Sequence, residues 1–125
     1  MTDRRYSMSK TDKIEKLVKR AKSEKIIAFV NDKDPEVRKA AIAALGKLSD
    51  DKAVNTLIEL LRNSDPDTRI DAVKALGDMA LRERKEPQSK THLQYLRNTE
   101  KDEKVLEAIS DTLTIISNIS RSGNA

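Results

Sequence analysis

Apolar residues recur in the middle of the chain with the spacing of one face of an amphipathic helix. One such set, with steps of four, three, one and three positions, consists of Val37, Ala41, Ala44, Leu45 and Leu48. The set returns 31 residues later as Thr68, Ala72, Ala75, Leu76 and Met79. Steps of three and four place side chains on one helix face, and shorter apolar pairs precede both segments. The pattern therefore predicts a repeated unit of two helices.

The two copies also agree residue by residue. Residues 34–46 align with residues 65–77 without a gap, and seven of the thirteen positions are identical. Each copy opens with an Asp-Pro pair. Aspartate is favoured as the N-cap of a helix, and proline is favoured at the next position, where its missing N–H is not needed. A third, fainter copy begins at Asp102.

The repeat predicts a first helix followed by three helix pairs. The first helix is expected at residues 11–22, and the pairs at 23–31 and 35–48, 51–62 and 66–81, and 90–98 and 102–119. Gly46 and Gly77 are expected inside the second helices and not at their C-caps, because the apolar face continues beyond both glycines. Glycine inside a helix costs about 1 kcal/mol relative to alanine. We therefore expect the neighbouring helix to approach closely at both positions.

The strings DPEVRKAAIAALG and DPDTRIDAVKALG resemble HEAT-like repeats of the short bacterial and archaeal kind, the type found in phycobilisome lyases. The resemblance implies an all-α fold: a short right-handed α-α superhelix, or solenoid, of about three helix pairs with an N-terminal capping helix. It also implies that the second helices line a concave side that holds a partner. Arg38 and Arg69 match the family's arginine, which joins a ladder of contacts with turn aspartates, and Leu106 would end that ladder.

Composition removes several classes of function. The 125 residues contain no cysteine and one histidine, which excludes disulfides, thiol catalysis and metal sites built on cysteines or a histidine pair. His92 has no partner at catalytic or metal-ligand spacing, so we interpret it as a surface residue. We expect no enzymatic activity, no cofactor and no metal.

Targeting signals and domain limits follow from the same survey. The first residues lack the apolar segment of a secretory signal, and no apolar run is long enough to span a membrane. We expect a cytoplasmic protein without membrane contact. The repeat domain is expected at residues 11–120, with disordered tails at residues 1–10 and 121–125.

The basic charge of the chain is concentrated at one end. The chain has a net charge of +4. Residues 1–25 carry nine basic and four acidic residues, a net charge of +5, and residues 26–125 are nearly balanced, with a net charge of −1. The first helix has two interpretations. Its apolar stripe of Ile14, Leu17, Val18 and Ala21 can cap the solenoid, or its lysines can contact nucleic acid or an anionic membrane.

The predicted partner-binding surface consists of second-helix positions that avoid the core stripe. These positions are Lys39, Lys47, Asp67, Ile70, Asp71, Lys74, Asp78, Glu107 and Asp111. Acidic residues dominate its later part, so a basic or mixed-charge peptide fits better than a phosphate backbone. The alternative is an ordinary solvated helix face.

The sequence favours a non-enzymatic module that binds another protein, of unknown identity. Two alternatives remain: a nucleic-acid-binding protein that uses the basic first helix, which the balanced body disfavours, and a lyase or lyase-chaperone subunit by fold analogy. The last predicted helix carries a wide aliphatic arc. We therefore expect a weak homodimer, or a docking site for another chain, centred on Leu106, Ile115 and Ile119.

Overall fold

The structure is a computed structural model that describes residues 8–123, and within this range all regular structure is helical. Seven helices are present in the described part of the chain: α1 (Lys10–Lys19), α2 (Ser23–Ile27), α3 (Pro35–Leu45), α4 (Asp51–Leu60), α5 (Pro66–Glu83), α6 (Lys90–Thr99) and α7 (Glu103–Gly123). Helix α1 precedes three pairs, α2/α3, α4/α5 and α6/α7. The all-α fold and the pair arrangement are confirmed, whereas the handedness of the superhelix stays a prediction.

The helix limits differ from the predicted tails at both ends. Helix α1 begins at Lys10, and α7 continues to Gly123, so residues 121–123 are helical and not part of a disordered tail. The remaining residues of the two predicted tails, 1–7 and 124–125, lie outside the described residues. The division into one domain at residues 11–120 stays a prediction.

Aspartate side chains start the second helix of every pair. Asp34 accepts a hydrogen bond from the backbone N–H of Glu36, and Asp65 accepts one from that of Asp67. Asp102 does the same for the two N–H groups of Lys104 and Val105 without a following proline. These bonds satisfy N–H groups that have no partner within the helix. The two predicted caps, Asp34 and Asp65, are therefore present, and Asp102 repeats the arrangement in the third copy.

One continuous core runs through the pairs. All twelve apolar residues that the repeat pattern places in the core of the first two pairs are buried: Val37, Ala41, Ala44, Leu45, Leu48, Leu57, Leu60, Leu61, Ala72, Ala75, Leu76 and Met79. The third pair continues the core with Leu93, Val105, Ile109 and Ile116. The twelve core positions predicted in the first two pairs are therefore confirmed.

The second helices stack through residues that leave no room for a larger side chain. A Cβ atom on Gly46 of the α3 C-terminus would lie 2.9 Å from the backbone oxygen of Ala75 in α5. A Cβ atom on Gly77 of α5 would lie 3.2 Å from the side chain of Thr112 in α7. Thr112 occupies the same repeat position as Ala75. The expected close approach is confirmed at both glycines.

The position of Gly46 within its helix was predicted wrongly. Gly46 is the C-cap of α3, although its φ of −64° is right-handed. Beyond α3, the N–H groups of Lys47 and Leu48 bond to carbonyls three residues earlier, and this tight turn carries Leu48 into the core. The guanidinium of Arg82 in α5 donates to the carbonyl oxygens of Gly46 and Leu48, so it links the α3 terminus to the next pair.

The two terminal helices close the stack. Ile14 of α1 is buried, and α1 packs against α2 and α3. Ala21 does not continue the apolar stripe, because it ends the helix with a φ of 53° and is exposed. Helix α7 packs against α5 and α6 and exposes a polar stripe at steps of four and three residues, formed by Glu103, Glu107, Ser110, Thr114, Ser117 and Arg121. This stripe suits a terminal repeat, whose outer face meets water.

Replacing Gly46 by alanine tests the close approach of α3 and α5. We expect Gly46→Ala to lower the free energy of unfolding by about 1–3 kcal/mol, the usual cost of overpacking, because the backbone of Ala75 cannot move aside alone. Urea unfolding measures the change. Lys47→Ala, at the adjacent exposed position, should stay within about 0.5 kcal/mol of the wild type. Equal stability of wild type and Gly46→Ala would contradict the packing described.

Candidate functional site

The structure brings five of the nine predicted partner-binding residues together. A groove of about 530 Å³ between α3 and α5, named here the α3–α5 groove, is lined by Lys39, Asp67, Ile70, Asp71 and Lys74. Ile70 and Asp71 are half-buried, and the other three side chains are exposed. The predicted surface therefore contains one groove, in which the apolar Ile70 stands among charges of both signs.

The other four predicted residues are not part of this groove. Lys47 lines a separate depression between α1 and α3. Asp78, Glu107 and Asp111 are exposed on α5 and α7 but do not line the α3–α5 groove. Ala108, the neighbour of Glu107 on α7, is buried. Four of the nine predicted residues therefore lie outside the α3–α5 groove.

Asp71 has the most perturbed environment in the α3–α5 groove. Burial raises the pKa of its carboxyl group, and the nearby positive charge of Lys39 opposes this rise only in part. Desolvation of a carboxylate without full compensation makes an added positive charge favourable. A lysine or arginine side chain entering the groove would supply that charge.

Acidic residues continue beside this groove. A shallow depression at the N-termini of α5 and α7 is lined by Asp65, Asp67, Asp102, Glu103 and Lys104. Asp65 and Asp102 serve as N-caps there. The N-terminal ends of helices stabilise negative charge, so the fold can hold these acids close together.

The predicted arginine ladder is present in a different form. Arg38 donates to the backbone oxygens of Asp32 and Lys33 in its own turn, and Arg69 repeats this with the oxygens of Asn63 and Ser64. The partners are therefore turn carbonyls and not aspartate side chains. This part of the expectation was wrong because the arginine reaches back to the turn before its own helix.

Arg69 also bridges the second and third pairs. Its Nε and a terminal nitrogen donate to the two carboxylate oxygens of Glu100 at 2.8 and 2.9 Å. Glu100 is 4% exposed, and Arg69 holds its pKa below the ordinary value of 4.5. The second oxygen of Glu100 also accepts the N–H groups of Lys101 and Asp102. This bidentate pair fixes the turn before α7 onto α5.

A second groove, between α4 and α6, was missed by sequence reasoning. It has a volume of about 440 Å³ and contains the Arg69–Glu100 pair together with Ile58, Leu96 and Tyr95. His92 lines it as an exposed residue, in agreement with its predicted surface position. One feature of the sequence could have indicated this groove, namely the spacing of the three copies. The aspartate cap of the third copy follows that of the second by 37 residues, whereas the first two are 31 residues apart.

The predicted self-association residues lie along α7. Leu106, Ile115 and Ile119 are all half-buried, and Ile119 packs against the core. Leu81 of α5 is 50% exposed. It lies one helical turn beyond Gly77, whose contact with Thr112 aligns α5 with α7, and Ile115 lies about one turn beyond Thr112. This places Leu81 and Ile115 at the same level of the stack.

Helix α1 uses its apolar residues for packing. Leu17 and Val18 are half-buried against the core, and the lysines and Arg20 on the other side are exposed. Lys10 at its start forms an ion pair with Asp32 in the turn before α3. These contacts support the cap interpretation of the first helix. Residues 8–123 contain no cluster of three or more side chains that could hold a metal ion. In the same range, no helix is both long enough and apolar enough to cross a membrane.

The stacked helix pairs, with aspartate caps at repeated positions, define an α-solenoid of helical repeats. Comparison with known families gives the same answer, since the family described as HEAT repeats matches residues 23–114. The chain belongs to the HEAT repeat family. No curated protein and no solved structure gives a significant match.

The buried Arg69–Glu100 pair predicts a pH-dependent contribution to stability. Glu100→Gln should lower the free energy of unfolding at pH 7 by about 1–3 kcal/mol, because Arg69 loses a charged acceptor. A carboxyl group with a lowered pKa in the folded state stabilises above its ordinary pKa, and the effect is lost as the pH falls through the lowered value. The difference between the proteins should therefore begin to shrink as the pH falls below 4.5, and it should disappear once the pH is below the lowered pKa of Glu100.

Urea unfolding at pH 7 and at successively lower pH checks this, with Glu59→Gln on the exposed face of α4 as the matched control. A difference that persists unchanged in acid would show that the ionised Glu100 is not its source.

Proposed function

We propose that this chain is a non-enzymatic protein-interaction module whose second-helix surface binds a basic or mixed-charge segment of another protein. The observation that carries the proposal is the α3–α5 groove, where Lys39, Asp67, Ile70, Asp71 and Lys74 line one space. HEAT repeats generally mediate protein–protein interactions, and membership of that family supports the same class of function.

The charges of the groove favour a partner with lysine or arginine. Glu36 and Asp65 add two carboxylates to Asp67 and Asp71, so four acids stand against the three bases Arg38, Lys39 and Lys74. Burial raises the pKa of the Asp71 carboxyl group, so an added cation beside it is favourable. The acidic depression at the N-termini of α5 and α7 extends this preference beyond the groove. Ile70 provides an apolar contact. A phosphate backbone fits this arrangement less well, because it needs an excess of basic residues, which this groove lacks.

The two alternative functions lack a comparable observation. The apolar stripe of helix α1 packs against α2 and α3. Its lysines therefore lie on the solvent-facing side of a helix that caps the stack. A nucleic-acid groove would need a basic stripe across the folded body. The lyase alternative rests on fold analogy, and the α3–α5 groove carries charged side chains where a large apolar cofactor would need apolar walls.

Charge reversal tests the α3–α5 groove. Fluorescence polarisation would measure binding of a labelled dodecapeptide of alternating lysine and leucine to the full chain. We expect Asp67→Lys to weaken binding by about tenfold, in the range of a contact residue at an interface. Glu59→Lys reverses an equally exposed acid on α4 and should leave the affinity unchanged.

Two results would contradict this function. One is equal binding by wild type and Asp67→Lys, and the other is an equal loss in Glu59→Lys, which would reflect net charge alone. A steep fall in affinity with salt together with tight binding of a DNA duplex would favour the nucleic-acid alternative.

A weak homodimer centred on Leu106, Ile115 and Ile119 is part of the same proposal. The half-buried Ile115, at the level of the half-exposed Leu81, supports it. Sedimentation over micromolar to hundred-micromolar concentration should show a growing dimer fraction, and Ile115→Ser should reduce that fraction. Ser117→Ala, on the polar stripe of α7, is the matched control. A monomer at every concentration would rule the dimer out.

A further inference from the structure

The α4–α6 groove occupies a place where the repeat would otherwise bring two first helices together. Helices α2 and α4 pack against each other, whereas α4 and α6 are not among the packed helix pairs. The groove between them is about 440 Å³ in volume, within the range of binding pockets in proteins. It lies on first helices, so it is separate from the second-helix surface of the proposed function.

Aliphatic and aromatic side chains form one part of the groove lining, beside polar residues such as Asn63, Ser64 and Thr99. Leu61 is buried at its base, and Ile58 and Leu96 are half-buried on the two helices that flank it. Tyr95 is 66% exposed, although it is one of only three aromatic residues in the chain. A large side chain left this exposed beside an aliphatic floor gains by being covered.

The charge at the rim is positive. Arg69 and Glu100 neutralise each other inside the groove. Arg62 and Lys101 also line it, and both are exposed and take no part in the ion pairs found among residues 8–123. Two cations without anionic partners therefore stand beside an apolar floor, with the exposed imidazole of His92 nearby.

We propose that the α4–α6 groove binds a short acidic peptide segment of a partner protein, which inserts an aliphatic side chain between Ile58 and Leu96. Carboxylates that flank this side chain pair with Arg62 and Lys101, and Tyr95 packs over the inserted residue. Charge complementarity identifies this occupant: Arg62 and Lys101 favour negative charge in this groove, whereas the α3–α5 groove is lined by one more acidic than basic residue. Nucleic acid fits less well, because two cations are too few to follow a phosphate backbone.

Selection of peptides provides the test. Phage that display random dodecapeptides would be selected on the immobilised full chain, and enriched peptides would be synthesised and measured by fluorescence polarisation. We expect a class of acidic peptides with an aliphatic residue. Arg62→Glu and Tyr95→Ala should each weaken their binding by at least about tenfold, as for central interface residues. Both side chains are exposed, so circular dichroism should show an intact fold.

Matched variants separate this site from the rest of the surface. Arg97→Glu reverses an exposed arginine of the same helix, α6, that does not line the groove, and it should retain the affinity. Asp67→Lys should retain it as well, which distinguishes this site from the α3–α5 groove.

Three results would overturn the proposal. The first is that acidic peptides are not enriched, and the second is that Arg62→Glu and Tyr95→Ala bind the enriched peptides as tightly as the wild type does. The third is that a uridine dodecamer binds in a way that depends on Arg62 and Tyr95, while no peptide binds in this way. The last result would assign the groove to single-stranded nucleic acid.

Discussion

The fold depends on how closely the second helices approach one another. A methyl group added at Gly46 would lie 2.9 Å from the backbone oxygen of Ala75, which leaves no space for it, and one added at Gly77 would lie 3.2 Å from the Thr112 side chain, which would have to shift. Because these contacts lie in the middle of the stack, they fix the separation of α3, α5 and α7. The aliphatic core then fills with leucine, isoleucine and alanine, and almost no aromatic side chain is needed. Small residues at the contacts between the second helices thus allow a closely packed aliphatic core, although 37% of the residues in the chain are charged.

The change of spacing after the second copy has a consequence for the surface. Helix α5 runs to Glu83, about two turns longer than α3, before the chain returns to α6. Helix α6 does not pack along α4, and the space between them becomes a groove with an aliphatic floor and a basic rim. The Arg69–Glu100 pair compensates for the missing helix contact by holding the turn before α7. The groove and the ion pair therefore both lie where the repeat is irregular.

The sequence was sufficient for what depends on local periodicity and capping. Helix positions, the aspartate caps and the buried face of each helix follow from steps of three and four residues and from Asp-Pro pairs. The side-chain partners across repeats did not follow. Nothing in the local pattern indicates that Arg69 reaches Glu100 or that Arg82 caps α3, because both depend on the stagger between pairs. Ala21 was misassigned since alanine rarely adopts a left-handed φ. The α4–α6 groove depends on how α6 is placed after a longer connection, which periodicity does not encode.

A double-mutant cycle at Gly77 and Thr112 tests the central contact most directly. Alanine at position 77 gains helix propensity of about 1 kcal/mol but meets the Thr112 side chain. Thr112→Ala removes the two atoms that lie 3.2 Å from the added Cβ. Urea unfolding should therefore show that Gly77→Ala is more favourable in the Thr112→Ala protein than in the wild type, with a coupling of at least about 0.5 kcal/mol. The same effect of Gly77→Ala in both proteins would show that α5 and α7 do not approach each other there, and the packing account would fail.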